Sequence, residues 1–281
     1  MPLPLGNGSI FICTNRPRVA LECVLTSIAT DNVTDCFLLL DRKLEEDCDD
    51  LDWADIVKSG VCVVQSIYNG LSALRNIAIT IANSSWILFV DDDIKLMAGS
   101  MERLKLALAD GHPIVGGKLI YGEYAGKCPC WITRNQFHYL GVHAPNTHGR
   151  IWGAFMAFDL DFLHRESLIF DESLDRKGWS LLSGGDTSFV QKCLSVGGRP
   201  DFISCAVAEH HVRKYRIGFR MIIRRVWMQG YTEVVRRSRG RGVIKELKRN
   251  LYCGHPVYLL LGVGYFLLFL LSVAVWTVRR R

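Results

Sequence analysis

Trp86-Ile-Leu-Phe-Val-Asp-Asp-Asp93 sets five consecutive apolar residues against three consecutive carboxylates. An unbroken apolar run of this length, rich in branched and aromatic side chains, suits a strand buried on both faces, as parallel strands are. Working outward, Ser9 to Cys13 is a second such run, closed by the turn signal Thr14-Asn-Arg-Pro17 and followed by the helix-like stretch Arg18 to Thr30. Cys36 to Leu40 is a third run and stops at Asp41, Val61 to Ile67 reads as a strand, and Leu71 to Asn83 as a helix. Alternating strands and helices predict an α/β domain around a mostly parallel sheet, with ligands at the carboxyl ends of its strands. Those ends carry Thr14 to Arg16, Asp41 and Asp91 to Asp93. The sequence contains no internal repeat and no glycine-rich dinucleotide or phosphate-loop fingerprint.

Three adjacent carboxylates repel one another and cost stability unless a cation offsets them. Oxygen ligands of this kind suit Mg²⁺ or Mn²⁺, above all when substrate phosphates complete the coordination. The plainer reading is a solvated turn in which one Asp caps a helix starting near Met97. Tyr121 to Arg150, with glycines, aromatics and three histidines but no clear period, reads either as a functional lid or as an ordinary surface excursion.

The chain has 281 residues and a formal charge of +6, and the charge is unevenly placed. Residues 1–212 hold 18 Lys/Arg against 26 Asp/Glu, a net of −8, whereas residues 213–281 hold 16 against 2, a net of +14. A nucleic-acid binder would carry basic residues over its folded domain, so nucleic acid is not expected as a partner. The positive charge instead flanks Val257 to Val278, 22 residues without a charge. As a helix that stretch would be about 33 Å long, enough to cross a hydrocarbon core of about 30 Å; a buried core helix is the alternative. The 13 Lys/Arg between Arg213 and Arg249 outweigh Arg279, Arg280 and Arg281, which predicts a single-pass membrane protein with its main domain on the cytoplasmic side. Ten scattered cysteines in a chain of this size read as reduced thiols, and the lone Cys128-Pro-Cys130 pair is a weak metal signal. On a helical wheel Arg213, Arg216, Arg220 and Arg224 form one stripe beside an apolar face of Tyr215, Phe219, Ile222 and Val226. Such a stripe suits a membrane surface, a solvated face or the phosphates of a lipid-linked acceptor.

Several ordered blocks resemble the family 2 glycosyltransferases of the GT-A fold. They are Ser9 to Pro17, Leu74-Arg-Asn-Ile-Ala78, Trp86 to Asp93, Trp152-Gly-Ala-Phe-Met-Ala157 with Phe170-Asp-Glu172, Gly185-Asp-Thr-Ser-Phe189 and Ala208-Glu-His-His-Val212. The resemblance implies a GT-A domain over 1–212, with a nucleotide-sugar half (1–100) and an acceptor half (101–212). A basic amphipathic segment (213–256) and a transmembrane helix (257–278) would follow. It also implies that Asp91 and Asp93 bind the sugar nucleotide and a divalent Mn²⁺ or Mg²⁺ ion, with Asp92 beside them on the donor. His210 would be a further metal ligand and His211 the alternative. Thr14, Asp41 and Arg75 match positions that hold the nucleotide, and Asp186 matches the general base. The family usually shows Glu-Asp where this chain has Gly185-Asp186. The pattern QxxRW of processive synthases is missing, so transfer of one sugar to a lipid-linked or glycan acceptor is expected. Inversion at the anomeric carbon is likewise implied by the resemblance. A catalytically silent, membrane-tethered binding protein of the same fold is the alternative.

Overall fold

The computed structural model describes residues 7–28, 35–44, 51–58, 60–122, 126–132, 134–144, 149–175, 184–235 and 256–279. The chain divides into two compact units. The first comprises Met1–Ile120, Thr147–Asp175 and Gly185–His211, and the second Tyr121–Asn146, Arg176–Gly184 and Val212–Arg281.

The first unit holds an eight-stranded sheet. Its strands are β1 (Gly8–Thr14), β2 (Asp35–Leu40), β3 (Val61–Gln65), β4 (Trp86–Asp91), β5 (Ile94–Leu96), β6 (Ile114–Tyr121), β7 (Phe155–Asp159) and β8 (Asp201–His210), in the order β3-β2-β1-β4-β7-β6-β8-β5. β3, β2, β1 and β4 run parallel, as the continuous apolar runs predict, and every residue of β1 is buried. Beyond β4 the sheet changes character: β7 is antiparallel to β4, β6 to β7, and β5 to β8. The parallel half was legible from hydropathy; the antiparallel half rests on shorter, mixed runs whose pairing partners lie far away in sequence.

Because side chains alternate across a strand, β1 and β4 feed two separate cores. Ile10, Ile12, Leu88 and Val90 enter one layer, and Phe11, Cys13, Ile87 and Phe89 the other. The first layer is faced by α1 (Pro17–Ala20), a π-helical turn (Leu21–Leu25) that continues it into α2 (Thr26–Ile28), α3 (Trp53–Lys58) and α5 (Ser100–Ala109). The second is faced by α4 (Leu71–Ile81), α6 (Leu160–Arg165) and α7 (Gly185–Ser195). Here four phenylalanines interlock: Phe170 stacks on Phe189 with centroids 4.0 Å apart and meets Phe89 and Phe158 edge-on at 5.9 and 6.3 Å.

The strand order forces a curl. β4 ends at Asp91 and β5 begins at Ile94, so two residues, spanning three Cα–Cα steps of at most about 11 Å in all, link the middle of the sheet to its last strand. In a flat sheet four interstrand steps of about 4.8 Å would separate them by about 19 Å. The antiparallel half therefore bends back toward the carboxyl end of β4. The helix expected near Met97 begins instead at Ser100, after β5, with Gly99 as its N-cap residue. That removes the plain helix-capping reading of the triplet.

In the second unit α8 (Phe219–Val235) and α9 (Pro256–Arg279) pack against each other and against the 3₁₀ turn Arg134–Leu140. Ile132, Tyr139, Leu140, Val212, Ile222, Val226, Tyr265 and Phe269 form its core. Tyr265 donates to the carbonyl of Trp131 (3.0 Å) and Ser272 to that of Trp227, while a Cβ on Gly230 would meet Ser272 Oγ at 2.5 Å, so the two helices touch through a glycine. The expected continuous arginine stripe is interrupted: Lys214–Ile217 forms a separate 3₁₀ turn and α8 starts after Gly218. Of its apolar face, Ile222 and Val226 are fully buried, whereas Tyr215 and Phe219 are exposed. The basic residues 236–249 lie outside the described residues. α9 covers the stretch expected to span a membrane, but the side chains of 256–262 lie outside the described set. Among the described residues no helix is long and apolar enough to cross a membrane.

Phe170→Ala removes the ring at the centre of the aromatic layer. It should cost about 3–5 kcal/mol, read as a lowered urea midpoint with an unchanged slope.

Candidate functional site

The carboxyl ends of β1 and β4 lie side by side, which brings Thr14 and Arg16 to the triplet. Asp92 is the buried hub. Its Oδ2 accepts from the Thr14 hydroxyl (2.5 Å) and from Arg16 Nε (3.1 Å), its Oδ1 pairs with Arg16 Nη2, and the Thr14 hydroxyl in turn accepts from the Arg16 amide (2.7 Å). Thr14, Asp92 and Asp93 are all at most 5% exposed. Burial pushes the Asp92 carboxyl up to about 6; the neighbouring Asp93 charge adds to this, and Arg16 and the Thr14 hydroxyl pull the other way. Arg16 received no role from the sequence, although three carboxylates at one strand end call for a cation from the adjacent strand.

Asp93 shares this arginine, its Oδ2 lying 3.4 Å from Arg16 Nη2, and also reaches the end of β8. Its Oδ1 lies 3.2 Å from His210 Nε2, and its backbone carbonyl accepts from the His211 amide (2.8 Å). The register that pairs Ile94 with His210 sets this contact between residues more than a hundred positions apart. The two histidines are separated by strand alternation. His210 is buried against Asp93, whereas His211 faces Cys23 Sγ (3.4 Å from Nδ1) and Glu209 Oε2 (3.4 Å from Nε2). Burial, more than nearby carboxylates, pushes the Cys23 thiol up to about 11, so this Cys-His-Glu arrangement holds a neutral thiol at neutral pH.

Asp91 is bound to Arg75. Arg75 comes from α4 and, contrary to the plain expectation of a surface arginine, is only 5% exposed, with its guanidinium over the rings of Phe170 (5.4 Å) and Phe89 (5.7 Å). Its Nη2 donates to Asp91 Oδ1 (3.0 Å) and to the carbonyl of Gly153 (2.8 Å). The amide of Gly153 donates to Asp186 Oδ2 (3.1 Å), and Asp186 Oδ1 accepts from the Thr187 amide (2.7 Å) in the first turn of α7. Asp91 and Asp186 are thus connected through one arginine and the two peptide groups that flank the Cα of Gly153. Ser183, just before this turn, lies outside the described residues.

Asp41 sits apart from this cluster, at the end of β2. Its carboxylate accepts from the amides of Gly70 (2.7 Å) and Lys43 (3.0 Å), which ties β2 to the start of α4. Asp175, absent from the sequence reading, accepts from the amides of Ser72 (2.7 Å) and Ala73 (3.4 Å) and so completes the same helix start from a hundred residues away. A Cβ on Gly70, whose φ is +112°, would strike the Asp175 carboxylate at 2.3 Å.

The structure alters the expected metal set. Asp91, Asp93 and His210 do not converge, because Asp91 is turned to Arg75. Among the described residues no group of three His, Cys, Asp or Glu side chains is gathered as a metal would require. What is present is a pair. Asp93 Oδ1 and His210 Nε2, 3.2 Å apart, match the spacing of about 3 Å between adjacent ligands in an octahedron with bonds of about 2.1 Å. An oxygen donor and an imidazole fit Mn²⁺ or Mg²⁺ as two of six ligands, with the remainder left to phosphate oxygens and water.

No family model matches the chain, and neither does any curated protein. Solved structures do resemble it in fold. A mannosyltransferase from Pyrobaculum calidifontis, in complex with GDP-Man and Mn²⁺, superposes with a TM-score of 0.60 at 15% identity, over 94% of this chain and 75% of that one. S. aureus TarS, residues 1–349, superposes with a TM-score of 0.50 at 15% identity, over 95% and 81%. The fold is accordingly GT-A-like.

Because the raised Asp92 pKa favours the protonated form in the folded state, its contribution to stability is full below about pH 4 and is lost as the pH rises to about 6. In cation-free buffer, Asp92→Asn should therefore cost more stability at pH 4.5 than at pH 7. A Tm difference that stays constant between those pH values would contradict the burial of this charge.

Proposed function

We propose that the chain is a metal-dependent, inverting glycosyltransferase. It would move one sugar from a nucleotide-diphosphate sugar to a hydroxyl of a lipid-linked or glycan acceptor at the cytoplasmic face of a membrane. The observation that carries this reading is the chain of contacts from Asp91 through Arg75 and Gly153 to Asp186, set beside the Asp93–His210 pair at the end of β4. Donor-side carboxylates and a separate, backbone-oriented carboxylate are what displacement at an anomeric carbon needs. The fold likeness to a mannosyltransferase solved with GDP-Man and Mn²⁺ supports the same donor class and ion.

In this reading Asp93 and His210 hold the ion, and Asp91 faces the donor. Thr14, Asp41, Arg75 and Asp92 line or support the nucleotide end. A bound divalent cation would offset the negative charge that grows on the departing diphosphate. Asp186 accepts the proton of the acceptor hydroxyl as its oxygen attacks C1 from the face opposite the leaving group, a role typically contributing about 10²–10⁴-fold. Gly185 in place of the family's Glu leaves Asp186 as the acidic residue of that turn. Residues 1–212 carry the chemistry. The net charge of +14 in residues 213–281 and the apolar run of α9 support association with membrane lipids.

Two experiments test this. The detergent-solubilised full chain, incubated with Mn²⁺ and a panel of donors (GDP-mannose and UDP-linked hexoses), should release nucleoside diphosphate from one of them, and Asp186→Asn should lower that rate about 10²–10⁴-fold. Wild-type inertness towards every donor, or full activity in Asp186→Asn, would sink the proposal. Removing Val257 to Arg281 should move the protein from the membrane pellet to the supernatant; continued sedimentation with membranes would rule out this segment as the anchor.

A further inference from the structure

The geometry points to Gly153, with the buried Arg75 behind it, as the positioning element that aims Asp186 and ties it to the donor-side carboxylate Asp91. This inference rests on the proposed role of Asp186 as general base. A carboxylate on the first turn of a helix has freedom at χ1 and χ2, and catalysis by proton transfer tolerates little misplacement of the accepting oxygen. Here Oδ1 is fixed by the Thr187 amide of its own helix, at 2.7 Å, and Oδ2 by the Gly153 amide, at 3.1 Å, from a segment more than thirty residues earlier. The second bond decides which way the carboxylate plane faces.

Gly153 is itself held, at the peptide group that follows its Cα. Arg75 Nη2 bonds its carbonyl at 2.8 Å while also bonding Asp91 Oδ1 at 3.0 Å, so a single nitrogen joins the two sides of the site. The guanidinium is immobilised by burial and by Phe89 and Phe170 beneath it, and Phe170 stacks on Phe189, three residues beyond Asp186 on α7. The base and its aiming peptide thus share one rigid foundation. The position admits only glycine: a Cβ on residue 153 would lie 2.4 Å from Arg75 Nη1, 2.7 Å from Nη2 and 2.8 Å from Cζ. That contact is with the planar head of a clamped arginine, so any side chain must displace either the guanidinium or the peptide. Either displacement releases Asp186 Oδ2, Asp91 Oδ1 or both.

The test is a double-mutant cycle on the full chain in detergent, with nucleoside diphosphate release from the best donor of the panel measured in single turnover at stoichiometric enzyme. Gly153→Ala should lower the rate constant at least 30-fold, while the Kd for GDP with Mn²⁺, or for UDP where the donor is UDP-linked, stays within threefold of wild type. In the Asp186→Asn background the same substitution should change the rate less than threefold, because the group it aims is already gone. If Gly153→Ala fails to fold, Arg75→Lys alone must show the same loss of rate and the same absence of effect in Asp186→Asn. Multiplicative losses in the double variant, or a loss confined to nucleotide affinity, would overturn the positioning role and leave the reaction standing. Wild-type inertness towards every donor would remove the reaction and the positioning role with it.

Discussion

The Asp92 carboxylate, taken out of water at the junction of two parallel strands, is the constraint around which the site is organised. A buried carboxylate is tolerated only with hydrogen bonds and a countercharge, and Thr14 and Arg16 provide both from the adjacent strand end. With the middle residue of the triplet committed inward, strand alternation and the following turn send its neighbours in other directions. Asp91 goes to Arg75, and Asp93 to His210 while keeping a longer contact with Arg16. Three identical residues acquire three environments because a single one of them is anchored to the core.

This division of labour also explains how a site assembled from distant segments stays ordered. Each carboxylate of the candidate site is bonded to something rigid rather than to a neighbouring loop: Asp92 to β1, Asp93 to the end of β8, Asp186 to the Gly153 amide, beside a buried arginine. The arginine rests on an aromatic layer that belongs equally to β4 and to the helix carrying Asp186. Packing on one face of the sheet is thereby converted into the geometry of the candidate site.

How much of this was legible in the sequence varies with the range of the interaction. The four parallel strands and the strand-end positions of Thr14, Asp41 and the triplet follow from local hydropathy, because a strand buried on both faces announces itself in five or six consecutive residues. The choice between His210 and His211 does not, since it depends on the register of β5 against β8, and register is set by partners outside either segment. The burial of Arg75 was hidden for a similar reason: one arginine on an otherwise ordinary helix looks solvent-facing until the sheet, Gly153 and two phenylalanines are laid around it. Asp175, which caps α4 from afar, leaves no local trace at all. In the second unit, hydropathy registered the apolar length of α9 but not that Tyr265, Phe269 and Ser272 form a face already covered by protein.

The short connection between β4 and β5 has a bearing on how such a protein can change over time. Because only two residues bridge the middle of the sheet and its far edge, the stretch bearing the acidic triplet is a taut clasp that keeps the sheet curled. Surface loops ordinarily absorb insertions at little cost. This one has no slack: an added residue would slide β5 along β8 and pull His210 away from Asp93, and a deleted one would open the curl. Substitution is the only kind of variation open to it, whereas the segments surrounding the clasp are free to drift in length.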